Sequence, residues 1–403
     1  MTDGALAGIR VLDFSWVGAG SFTTRLFAEH GAEVIKIESS THLDSLRVGP
    51  PFAGGVPGIN RSGYFAERNA NKYSVTIDLK NPEGLALVRR LAASADVVAN
   101  NFRPGVMDSL GLSSEQIAAI NPKVIYLSMS MQGATGPESS YLGYGVTIAA
   151  IAGMTGISAE PGRYPVGTGT HFPDHVPNPG HAAFAVLAAL RYGRQTGRGQ
   201  LIEVAQTEPT IAVIGPAIME WTANGVDASA VGNRDSRWSP HGVFPAAGDD
   251  RWIAIAARTD KEWTALAAEL DIPLKPEWAT TQARCTAAVE IEAVVASATA
   301  THDAVKLMTR LQAVGVAAGL VATARDLVID DPQLRHRGHW QSLDHAEMGV
   351  SVYGRAPFRL SETPGGLDRP APLLGEHTRS VLAELLGLDG AELDRLEACG
   401  ALR

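Results

Sequence analysis

The sequence predicts an α/β enzyme: a mostly parallel sheet covered by helices, then a second, smaller α+β domain, then a tail returning to the first. Three observations carry this expectation. The first 135 or so residues alternate short apolar runs with helix-like runs, the texture changes near residue 225, and the stretch beyond about 335 closes on a helical pattern.

Ile9 to Phe14 (IRVLDF) reads as a buried strand and Phe22 to His30 as a short helix. Glu33 to Glu38 (EVIKIE) is a second strand, and Tyr73 to Leu79 (YSVTIDL) alternates with period two. Pro82 opens a helix in which Leu85, Val88 and Leu91 share a face. Asp96 to Ala99 is a further strand, Ser113 to Ile120 a helix and Val124 to Ser128 another strand. Such alternation predicts a Rossmann-like parallel sheet with helices on both faces. Residues 131 to 180 are rich in Gly, Pro, Ser and Thr without a sustained period, which in a compact enzyme marks a functional segment. A strong helix is expected at about Pro179 to Tyr192, a strand at LIEVA, and one helix over Gln206 to Ala223. The large domain is therefore placed at 1–224, completed by 335–403. The small domain, 225–334, carries a hairpin and strand with helices near 261–269 and 303–313, and is expected to close over the active site. The tail ends in a helix from about Leu374.

Composition narrows the class. Of 403 residues, 45% are hydrophobic and 19% charged, as in an ordinary globular protein. The net charge of −9 argues against a general nucleic-acid or anionic-membrane binder. The two cysteines, Cys285 and Cys399, are too few for a disulfide scaffold or zinc cluster. The N-terminal MTDGALAGIRVLDF shows no basic region leading into a long apolar run, and no stretch reaches spanning length. The expectation is a cytoplasmic protein in a reducing compartment.

Three motifs stand out. Val17-Gly18-Ala19-Gly20 after the first strand, with Glu38 ending the next, imitates a dinucleotide fingerprint, but Thr23 takes the place of its third glycine. Asn101-Phe102-Arg103-Pro104-Gly105 follows the strand DVVA, where open α/β sheets bind ligands. Phe102 suits stacking on a base and Arg103 suits a phosphate, though a plain Pro-Gly turn explains the segment equally well. In Phe172-Pro173-Asp174-His175-Val176-Pro177-Asn178-Pro179, Asn178 and Pro179 supply a cap and a first helical position, so Asp174 is spare. A helix N-terminus favours its ionised form, and a positioned carboxylate is an acyl-group nucleophile. His171, His175 and His181 cluster around it, but their spacing crosses prolines and matches no zinc motif, and His181 reads as a packed core residue.

These residues resemble the class III CoA-transferases, the family of formyl-CoA and carnitine CoA-transferases. The resemblance runs through LAGIRVLDFSWVGAG, GAEVIKIE, NKYSVTIDLKNPEG, ADVVANNFRPGVMDSLGL, NPKVIYLSMS and AAFAVLAALRYGRQTGRGQLIEVA. It implies that Asp174 is the nucleophile and that coenzyme A contacts Val17, Gly18, Ala19, Ile77, Lys80, Asn101, Phe102, Arg103 and Tyr144. Two phosphate-binding arginines of the family are Ser39 and Ser109 here, which leaves Lys80 and Arg103 for the phosphates. The glycine-rich lid of the oxalate-using members is not evident. The PDHVPN stretch is closer to members that use succinyl-CoA or other dicarboxylyl-CoA donors.

The implied reaction passes through an aspartyl anhydride and an aspartyl-CoA thioester, with backbone N–H groups near Gly18–Gly20 or Gly167–Gly169 for the oxyanions. CoA esters and carboxylic acids are then the substrates, with no tightly bound cofactor and no metal. The family also contains α-methylacyl-CoA racemases, whose catalytic His would fall near Tyr144, a poor acid or base at neutral pH. An NAD-dependent dehydrogenase and a non-catalytic CoA-ester-binding subunit stay open as further alternatives. Arg47, Arg61, Arg234 and Arg237 are candidates for a second carboxylate, and Trp16, Trp221 and Trp238 for an acyl pocket. The resemblance also implies an interlocked homodimer, or a pairing with a related subunit.

Overall fold

The computed structural model describes residues 4–403, which form two compact units. One comprises the residues through Thr155, Gly167–Asp227 and Arg335–Arg403; the other comprises Gly156–Val166 and Ala228–Leu334. Among the described residues no helix is long and apolar enough to cross a membrane.

The larger unit is built on six strands: β1 (Arg10–Asp13), β2 (Glu33–Glu38), β3 (Tyr73–Thr76), β4 (Val97–Asn100), β5 (Ile125–Ser128) and β6 (Gln200–Glu203). They lie in the order β3-β2-β1-β4-β5-β6, every pair parallel. Alternation of side chains divides the sheet into two cores. Leu12, Ile35, Val75 and Val98 meet helices Pro82–Ala93 and Ser114–Ile120 on one face. Val11, Val34, Val97 and Ile125 meet Phe27 of helix Ala19–Glu29 and Val186 of helix Pro177–Thr196 on the other. The strand order reverses direction between β1 and β4. A crevice opens at such a reversal, beyond the carboxyl ends of the strands.

The edge strand β3 is covered by the tail. The His377 N–H donates to Ser74 O at 2.9 Å, and Thr378 Oγ1 accepts from Thr76 N at 2.9 Å. Val381, Leu382, Leu393 and Leu396 then join the same core as Leu12. An uncovered edge would offer its backbone to other chains.

Several elements differ from the sequence expectation. The 131–180 stretch contains helices Gly145–Ile151, Met154–Ile157 and Phe172–His175, each two turns or less and so too short to show a period. The long helix begins at Pro177 rather than Pro179. Asn178 therefore caps nothing: it lies buried inside the first turn, with Nδ2 3.3 Å from Gln206 Oε1. The expected helix over 206–223 is two, Thr207–Val213 and Gly215–Asn224, because Pro216 has no N–H to continue the ladder. The tail holds an unforeseen hairpin, β10 (Trp340–His345) with β11 (Gly349–Gly354), and two closing helices, Thr378–Leu386 and Gly390–Ala398.

The smaller unit is an antiparallel sheet of β7 (His241–Pro245), β8 (Trp252–Ala256) and β9 (Ala317–Leu320). Helices Asp260–Glu269, Ala288–Thr299 and Ala304–Ala313 pack on it through Trp263, Leu266, Ile291 and Leu307.

Candidate active site

The turn after β1 is held from beneath by buried charges. Asp13 accepts from the Ser15 N–H at 2.9 Å, from Thr24 Oγ1 at 2.7 Å and from Lys72 Nζ at 2.9 Å. Lys36 Nζ donates to Ser15 O at 2.5 Å and pairs with Asp44 at 3.2 Å. Asp44 in turn accepts from the Val17 N–H at 3.2 Å. Asn101, beyond β4, brackets the Trp16 peptide: its Oδ1 accepts from Trp16 N at 2.9 Å and its Nδ2 donates to Trp16 O at 2.7 Å. These bonds fix Val17 at φ 57°, a conformation that a β-branched residue adopts only under constraint. The chain then enters helix Ala19–Glu29, whose N-terminus has no side-chain cap. Its first-turn N–H groups and dipole favour an anion there. Thr23 is buried and donates to Ala19 O at 2.7 Å. A side chain fills the space that the third glycine of a dinucleotide site leaves open.

Asp174 lies against this helix start. It sits in the helical turn Phe172–His175 just before the long helix, and it is 5% exposed. A Cβ placed on Gly18 would fall 2.8 Å from Asp174 Oδ2, and one on Gly145 would fall at the same distance. The carboxylate is therefore flanked by two residues without side chains. The Gly145 N–H donates to it. Burial pushes the Asp174 carboxyl above the usual carboxylate range, while His171, Arg68 and the Gly145 N–H pull against that shift.

The residues expected at the site fall in two neighbouring cavities. Val17, Gly18, Ala19, Asn101, Phe102, Arg103, Tyr144 and Asp174 line one of about 300 Å³. Ile77 and Lys80 line another of about 350 Å³ with His42 and Ser39. Trp16 and Phe102 border both, in edge-to-face contact at 5.7 Å between centroids. Gly167 and Gly169 line neither cavity.

Other candidates are accounted for elsewhere. Arg47 is fully buried and bonded twice to Glu38, at 2.8 and 2.7 Å. Arg61 donates to the backbone oxygens of Val56 and Ala53, Arg234 to Glu292 and Arg237 to Asp235. Trp221 is largely exposed, and Trp238 lies beside the Arg237 guanidinium. His181 is exposed rather than core, its Nδ1 2.7 Å from Pro177 O.

Two residues escaped the sequence reading. Gly145 sits in YGVT with no motif to flag it; only the space beside Asp174 does. Arg68 belongs to helix Gly63–Asn69, far from Asp174 in sequence, and its Nη2 donates to His175 Nε2 at 2.6 Å. Burial first, then Arg68 and His171, push His175 down to about 4. The ring is therefore neutral and accepts at Nε2.

Comparison with known proteins gives a consistent picture. The sequence pattern of the family described as CoA-transferase family III matches residues 6–378. The Agrobacterium fabrum protein named succinate–glutarate CoA-transferase is 34% identical over 386 residues, 94% of this chain and 95% of that protein. A Mycobacterium tuberculosis protein named as a probable CoA-transferase is 35% identical over 405 residues, 96% of this chain but 49% of that protein. The chain thus spans about half that relative's length. The crystal structure of a CAIB/BAIF family protein from Brucella suis has a TM-score of 0.87 at 32% identity, covering 95% of this chain and 100% of that one.

Proposed function

The chain belongs to CoA-transferase family III, and from that premise we propose that it moves coenzyme A between dicarboxylic acids with Asp174 as the covalent nucleophile. The observation that carries this reading is the setting of the carboxylate. It is buried, lines a cavity and is bordered by Gly18 and Gly145, so an acyl carbon can approach Oδ2 without meeting a side chain.

Asp174 attacks the donor thioester carbon, the C–S bond breaks, and an acyl-aspartyl anhydride and CoA thiolate result. The thiolate attacks the aspartyl carbonyl and expels the donor acid, leaving an aspartyl-CoA thioester. The acceptor carboxylate then runs the second step in reverse: it attacks the aspartyl thioester carbon, the C–S bond breaks, and an aspartyl–acceptor anhydride and CoA thiolate result. The thiolate then takes the acceptor acyl group and frees Asp174. Charge and atoms balance without a net proton. Each addition places negative charge on a carbonyl oxygen, and the uncapped start of helix Ala19–Glu29 supplies N–H groups for it. A desolvated carboxylate is the better nucleophile, which gives the burial of Asp174 a chemical purpose.

The dicarboxylic class rests on the Agrobacterium relative, whose name sets succinate against glutarate. Coenzyme A is assigned to the two cavities, with pantetheine beside Asp174 and the phosphates toward Arg103 and Lys80. The test is a mass-spectrometric screen of donor CoA esters against acceptor acids, with hydroxylamine trapping. Modification of Asp174 only when a CoA donor is present supports the mechanism. Solvent deuterium entering the α-carbon without any acceptor acid would point to racemisation instead.

A further inference from the structure

Resting on the reading of Asp174 as nucleophile, we propose that Arg68 is the fixed counter-charge of that carboxylate, aimed at it through His175. The placement of Arg68 is unusual for a long cationic side chain. It is 3% exposed, whereas an arginine near a surface ordinarily keeps its head in water. Here the guanidinium lies 4.6 Å from the ring centre of Phe22 and 5.3 Å from that of Tyr64. Between these rings, Nη2 bonds His175 and Nη1 lies 2.8 Å from Glu67. Its Nε is buried with no hydrogen-bond partner.

A guanidinium only donates, so His175 must offer a lone pair and stay neutral. That fixes the histidine ring and the turn Phe172–His175, in which Asp174 immediately precedes it. Arg68 therefore acts in two ways. Its bond to His175 holds the turn, and its charge offsets the cost of keeping a buried carboxylate ionised, which agrees with the opposing pull it exerts on Asp174.

Other titratable groups face this pair. His171 and His175 come from the turn, and Tyr64 and Glu67 from the helix of Arg68. From helix Ala19–Glu29, Arg25 takes the second oxygen of Glu67 at 3.0 Å. Glu67 is thus shared between two arginines and neutralises Arg68 only in part.

The test is the pH profile of kcat/KM for the CoA donor in Arg68→Met and Arg68→Lys, with Asp174→Ala in the same assay. Methionine keeps the stem over the rings and removes the charge. The acid limb is expected to move up by about one pH unit in Arg68→Met and to return in Arg68→Lys. A folded Arg68→Met enzyme with an unmoved acid limb overturns the proposal, whatever its kcat. If Arg68→Met does not fold, Glu67→Gln decides: stripping the shared carboxylate should move the limb down, and an unmoved limb overturns the proposal. Transfer surviving in Asp174→Ala would instead remove the nucleophile reading itself, so the two failures are distinct.

Discussion

Asp13, beneath the β1 turn, and Asp174, beside it, are both buried carboxylates of the larger unit, and they differ in the company each keeps. Asp13 is fully enclosed. Burial would raise its pKa, but Lys72, Lys36 and the Thr24 hydroxyl together hold it below the usual range. Asp174 has one backbone N–H and more remote positive groups, and burial wins. A buried charge with fixed, saturating partners is a structural part. A buried charge left short of partners, on a cavity wall between two glycines, is the setting that the proposed nucleophile requires.

Substituting each aspartate by alanine exposes the contrast most fully. Asp174→Ala should lower transfer by at least about 10⁴-fold while leaving thermal stability and CoA binding near wild type. Asp13→Ala strands Lys72 in the core and should cost about 3–5 kcal/mol, read by denaturant unfolding. Comparable unfolding in both variants would erase the distinction. A smaller effect probes the open flank. Gly145→Ala puts a methyl group against Oδ2 and should reduce kcat by about 10²-fold with little change in KM for the CoA ester. At the far end of the groove, Arg103→Ala and Lys80→Ala should raise that KM roughly tenfold and spare kcat. If neither moves KM, the phosphates lie elsewhere.

The subtlest difference is in pH. The folded pKa of Asp174 is raised, so its ionisation penalises folding above the ordinary carboxylate pKa of about 4 and not below it. Asp174→Asn should therefore melt at or above the wild-type temperature at pH 7, with the gap closing near pH 4. Asp13 has the opposite sign: its contribution is present above that pKa and is lost as pH falls through its depressed folded value. A lower melting temperature for Asp174→Asn at pH 7 would mean that Asp174, too, is a structural charge.

How much of this was legible depended on range. The six parallel strands could be read because each is a short run of apolar or alternating residues, as in EVIKIE. The break at Pro216 and the short helices of 145–175 could not, since seven residues or fewer show no period. Motifs drew attention to the 17–19 turn, the 101–103 loop and Asp174, and the structure puts all three on one cavity. The electrostatics were illegible. Nothing in RSGYFAERN says that Arg68 turns inward to His175, or that Arg47, in a sequence typical of a loop, is spent on Glu38. Both depend on contacts that only the folded backbone creates.

The coverage of β3 by His377 and Thr378 bears on the order in which the protein is made. The strand leaves the ribosome with the first 80 or so residues, yet its outer edge finds its partner only after the whole of Ala228–Leu334 has been synthesised. The smaller unit, with its own sheet and its own tryptophan core, has all its segments available before the tail that completes the larger unit. Throughout that interval the nascent chain carries an unpaired parallel edge and a core still lacking Val381, Leu382, Leu393 and Leu396. Elongation through Ala228–Leu334 is therefore the window in which a holdase chaperone, or a slow stretch of codons, has most influence on the yield of folded protein.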